Sequence, residues 1–127
     1  MNKIYIFKLG DKWVFKHYFE DEEVYRLLSQ FYQRARFRFE CSTIEDRDKA
    51  AEFLKYHGFD VSVVENPSEC VVRMNKQNYD SMVKVLKNSI AHRDVGEERI
   101  FLMMDAVSVE KALKEGAERY ASSVDFF

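Results

Sequence analysis

The residues with which this chain could do chemistry are three histidines, two cysteines and several close carboxylate pairs. His17, His57 and His92 each lack a second His or Cys two to four positions on. The spacing of a zinc site is therefore absent, and no metal is expected. His57, just before Gly58 at a helix end, suits the terminal carbonyls of that helix. A nucleophilic cysteine must be held as thiolate by a base or a helix N-terminus. Cys41 precedes a helix-start pattern, but alternation puts it on one strand face with Phe37 and Phe39, where a thiol is buried and inert. Cys70 shares a face with Val72 and Met74 in the same way. The pairs Glu22-Glu23, Asp46 with Asp48, and Glu97-Glu98 sit at helix starts or in a loop, where dipole complementarity accounts for them. No Gly-rich phosphate loop is present, and no cofactor is expected.

The arginines make a second pattern. Arg36 and Arg38 alternate with Phe37 and Phe39. Arg73 and Arg99 hold similar places in later strands, the latter beside Phe101. If these project from one sheet face, that face combines phosphate-holding guanidinium groups with stacking groups, the chemistry of single-stranded nucleic-acid binding. Glu40 and Glu69 would lie on the same face and oppose a polyanion. The net charge of −2 and a pI near 5.9 also argue against wholesale attraction to nucleic acid or anionic lipid.

These residues must be positioned by elements that the patterning makes readable. Ile4–Leu9 and 12–19 read as a hairpin turned at Gly10-Asp11, and an acidic run then opens a helix striped by Val24, Leu27, Leu28, Phe31 and Ala35. Residues 36–41 alternate as a strand, and Ser42 with Glu45 forms a capping-box pattern for a helix reaching His57 and stopped by Gly58. A strand over 59–65, a turn at Asn66-Pro67-Ser68 and a strand over 70–74 follow. Asn75 is read as the cap of a helix running to Ile90, and residues 91–98 as a charged loop. A strand over 99–104 and a last helix to Tyr120 complete the order ββαβαββαβα. One core is expected from Leu27, Phe31, Phe37, Phe39, Leu54, Val83, Leu86 and Leu102.

This is an α+β domain, a mainly antiparallel sheet with helices packed on it, occupying residues 1–120 with a tail at 121–127. From residue 36 to 104 the order βαββαβ resembles that of ferredoxin-like domains, in element order alone. The series also repeats once. Residues 36–42 (Arg-Phe-Arg-Phe-Glu-Cys-Ser) echo 99–105, and 48–51 echo 110–113 after a one-residue slip, which suggests a two-fold internal repeat.

With 46% apolar and 15% aromatic residues the chain can build a core, and no apolar run approaches the ~20 residues of a membrane span. A cytoplasmic protein with reduced thiols is expected. The expected function is non-enzymatic binding or regulation by a homodimer that associates through sheet surface or the aromatic hairpin, where Tyr5, Phe7, Trp13 and Phe15 are concentrated. Two alternatives stand beside it. One is single-stranded nucleic-acid binding through Arg36, Arg38, Arg73 and Arg99; the other is a small enzyme using Cys41. The tail residues Val124, Phe126 and Phe127 are expected to dock on the protein itself, on a dimer mate or on a protein partner. The tail has a slight similarity to the C-terminal peptides that some replication and repair proteins dock on sliding clamps. It lacks their opening Gln and carries Tyr at position 120.

Overall fold

Two glycines turn the chain in tight hairpins. Gly10 joins β1 (Lys3–Leu9) to β2 (Lys12–Phe15), and Gly96 joins β7 (Ser89–Val95) to β8 (Glu98–Met103). Each opens a two-residue loop, is followed by an acidic residue and holds a positive φ, +62° and +59°, which glycine adopts without a Cβ penalty. The computed structural model describes residues 2–121 together with Val124 and Phe126. The chain divides into two units, 1–65 and 66–127, each with its own sheet.

In the first unit, α1 (Glu22–Leu28) begins where the Asp21 carboxylate accepts from the Glu23 N–H at 2.9 Å. It is shorter than its apolar stripe implies. The Ser29 hydroxyl donates to the Arg26 carbonyl at 2.6 Å, a local bond that competes with helix continuation. The chain tightens through Ser29–Phe31 and enters the two-residue strand β3 (Tyr32–Gln33). Then follow β4 (Arg38–Cys41), α2 (Ile44–Tyr56) and β5 (Asp60–Val64). The cap of α2 is Thr43, one residue later than the sequence pattern suggests; its hydroxyl accepts from the Asp46 N–H at 3.0 Å. The sheet order is β3-β4-β2-β1-β5, antiparallel except where β5 runs parallel to β1. Both helices pack on one face, where Val24, Leu28, Ala50 and Leu54 meet Ile4, Ile6, Trp13, Phe15, Phe39 and Cys41.

The second unit opens with a turn at Pro67–Cys70, capped by the Asn66 side chain. It continues through β6 (Val71–Asn75), α3 (Tyr79–Lys87), β7, β8, α4 (Ala106–Lys114) and β9 (Glu118–Arg119). Its sheet order is β7-β8-β6-β9, antiparallel throughout. Here α3 packs on β7 and β8, while α4 packs on β6, β8, β9 and α3. No helix among the described residues is long and apolar enough to cross a membrane.

The protein is an α+β fold whose sheets are mainly antiparallel. The finer ferredoxin-like reading over 36–104 needs correction, because its strands are divided between two sheets. Instead a βαββαβ order occurs within each unit. In the second it is β6-α3-β7-β8-α4-β9 and in the first β2-α1-β3-β4-α2-β5, with β1 inserted between β2 and β5. The third strand of each series leads into a capped helix and then a glycine stop. Thr43 and Asp105 cap α2 and α4, two residues past the ends of β4 and β8. Gly58 and Gly116 follow those helices at φ +89° and +99°. The next residue returns a hydrogen bond of 3.0 Å in each, Phe59 N–H to Leu54 O and Ala117 N–H to Ala112 O. Aligned on these caps, Phe39 falls opposite Phe101, whereas the sequence echo pairs Arg36 with Arg99.

Other expectations also fail. Of the eight residues expected in one core, Phe37, Val83 and Leu27 are 64%, 47% and 45% exposed. Phe37 takes a positive φ of 52° in the turn before β4, so it is not a strand residue. Residues 91–95 are strand rather than loop, α3 starts at Tyr79 rather than after Asn75, and 118–119 are strand rather than helix. Val124 and Phe126 are half-buried without regular structure, and Phe127 lies outside the described residues.

Candidate functional site

The charged pair on β4 is internal. Arg38 and Glu40 alternate with Phe39 and Cys41, so they point away from the helices, yet both are buried. Their row continues into Val14 and Phe7, each wholly buried. Arg38 Nε donates to Glu40 Oε2 at 2.8 Å, and Lys12 Nζ donates to Oε1 at 3.3 Å. Arg36 lies 3.9 Å away with an exposed side chain. Burial pushes the Glu40 carboxyl up, but hydrogen bonds and charge from Arg38, then Lys12, outweigh it and hold the group below the ordinary carboxylate range. This is a structural ion pair in an apolar layer.

The four arginines are divided between the two units. Arg36 lies in the turn before β4, and Arg38 in β4 of the first sheet; Arg73 and Arg99 lie in β6 and β8 of the second. Arg73 Nη2 donates to Glu118 Oε2 at 2.9 Å, and Arg73 Nε lies 3.7 Å from Glu98 Oε2. Arg99 grips Asp94 through two hydrogen bonds of 2.6 and 3.3 Å. Phe101, expected beside Arg99 on an open face, is wholly buried. Of the aromatic hairpin residues expected at an interface, Phe7, Trp13 and Phe15 are buried within the single chain and Tyr5 is half-buried. Phe15 stacks on Phe39 with centroids 5.0 Å apart.

Neither thiol is placed for nucleophilic work. Cys41 is wholly buried, and burial, with the Asp46 charge, pushes its pKa up to about 12. Cys70 is pushed up to about 11 by burial and by Asp105 and Glu69. At neutral pH these values leave a thiolate fraction on the order of 10⁻⁴ or less. Among the described residues no three of His, Cys, Asp and Glu converge to hold a metal ion.

Two features that the sequence reading did not single out remain. The first is a cleft of about 220 Å³ between α3 and α4 in the second unit. Val85, Met103 and Ala112, all buried, line it together with the exposed lysines Lys84, Lys111 and Lys114. Asn88 and Ser108 supply neutral polar groups, and Glu115 pairs with Lys84 at 3.7 Å. The signal in the sequence is the spacing Ser108, Lys111, Ala112, Glu115, one face of α4 at positions i, i+3, i+4 and i+7. The second is the edge strand β5, whose Val63 is 43% exposed.

No family model, curated protein or solved structure matches the chain. The reading of function therefore rests on this geometry.

Proposed function

We propose that the protein is a non-enzymatic binding and regulatory protein built from two ferredoxin-like βαββαβ modules of common descent, and that it self-associates through the β5 edge. The shared order of strands, caps and glycine stops supports the reading as two copies of one module. Burial of both thiols and the pairing of Glu40 with cations support a binding rather than a catalytic role.

The observation that carries self-association is the state of the four sheet edges. Natural edges are blunted by brevity, charge, proline or bulges. β3 and β9 have two residues each. β7 carries His92, Arg93 and Asp94 and a register shift between Ser89 and Ala91. β5 is five residues long, Asp-Val-Ser-Val-Val, with its single charge at the first position opposite Lys3 of β1. A second copy pairing antiparallel about Ser62 would set Val61 beside Val63 of the other strand, twice over by symmetry. Apolar neighbours would then meet on one face while the backbone ladder extends across the two-fold axis.

Sedimentation equilibrium tests the reading. The native protein is expected to dimerise, and Val63→Lys, an exposed change, to leave a folded monomer. A native protein that stays monomeric at all accessible concentrations, or a Val63→Lys variant that dimerises as tightly, would overturn it.

A further inference from the structure

We infer that the α3–α4 cleft of the second unit is a binding site for a small organic acid, a single carboxylate carried on a short branched or aromatic apolar body. This goes beyond the self-association reading and does not depend on it.

The charge of the lining argues for an anion. Three lysines and one carboxylate residue, Glu115, line the cleft, and among the described residues neither Lys111 nor Lys114 has an ion-pair partner. The buried lining residues argue for an apolar body. Val85, Met103 and Ala112 are packed residues of α3, β8 and α4, and a thioether adapts its shape to what it contacts.

The size of the cleft sets the ligand class. About 220 Å³ falls below the usual range for drug-sized ligands. The donor set favours carboxylate over phosphate. Phosphate sites typically draw on clustered backbone N–H groups. Here the Ser108 N–H is already taken by the Asp105 carboxylate at 2.7 Å. That second negative charge beside the site opposes a dianion more than a monoanion. Glu115 on Lys84 shows that a carboxylate can sit beside these lysines.

The test uses the full chain and 4-methylpentanoate as the probe, at low salt where screening is weakest. 4-Methylpentanol and inorganic phosphate serve as controls. Saturable changes are expected in the amide NMR signals of Asn88, Ser108 and Lys111, with the alcohol and the phosphate each binding at least about tenfold more weakly. The exposed double change Lys111→Ala with Lys114→Ala is expected to keep the fold, checked by circular dichroism, and to weaken binding by about tenfold. Val63→Lys should bind the probe as the native chain does, which separates this site from the β5 edge. Failure to saturate, alcohol or phosphate binding as tightly as the acid, or a folded lysine variant that binds unchanged would each overturn the inference.

Discussion

Glu40 shows how a residue read as surface becomes part of the interior. Alternation along 36–41 correctly separates Phe39 and Cys41 from Arg38 and Glu40, but alternation identifies faces and does not say which face meets water. Here both faces are buried, and on the polar one Glu40 is hydrogen-bonded by Arg38 and Lys12. Glu40→Gln removes the carboxylate that pairs with Arg38 and Lys12. The expected loss is about 1.5–3 kcal/mol in urea unfolding at neutral pH. Arg36→Ala, at an exposed side chain 3.9 Å away, should cost no more than about 1 kcal/mol. The pH dependence has a definite sign. The folded Glu40 pKa lies below its unfolded value of about 4.3, so its stabilisation is present above that value and is lost as pH falls through the folded one. The native protein should therefore lose stability more steeply than Glu40→Gln on acidification below about pH 4. Equal slopes, or a neutral-pH loss under about 1 kcal/mol, would contradict this account of the pair.

At the scale of elements, what the sequence made legible follows from local physical chemistry. The Gly10-Asp11 hairpin, the β4-to-α2 junction and the glycine stop at Gly58 all rest on one or two residues whose conformation is nearly obligatory. The misses have physical causes. β3 and β9 are two residues long, too short to show a period. β7 reads as a loop because His92, Arg93 and Asp94 are polar, yet charge is what a solvent-facing edge strand carries. The helix after Glu22 gives way at Ser29 to a tighter turn that no stripe reveals. The α3–α4 cleft was missed because it depends on two helices separated by a hairpin. The helix stops themselves can be tested. A methyl group added at Gly58 or Gly116 would meet nothing within 4 Å, so the cost of alanine is conformational alone. Gly58→Ala and Gly116→Ala should each lower stability by about 1–2 kcal/mol, and asparagine at either site by less. Thermal denaturation showing either alanine variant neutral or stabilised would mean that the left-handed stop is not formed.

For the whole molecule, the consequential difference between reading and structure is how the strands are shared. A ferredoxin-like sheet over 36–104 would set β4 beside β6 and gather Arg36, Arg38, Arg73 and Arg99 on one surface. Two sheets instead bury Arg38, pair Arg73 and Arg99 with carboxylates, and leave β5 as an edge and α3–α4 as a cleft. The binding proposals both stand on this partition. Cross-strand NMR contacts in the full chain test it directly. Backbone contacts are expected between Phe15 and Phe39, which face each other across β2 and β4, and between Val72 and Phe101 across β6 and β8. Contacts between 38–41 and 71–75 in place of these would show a single sheet and contradict the two-module account.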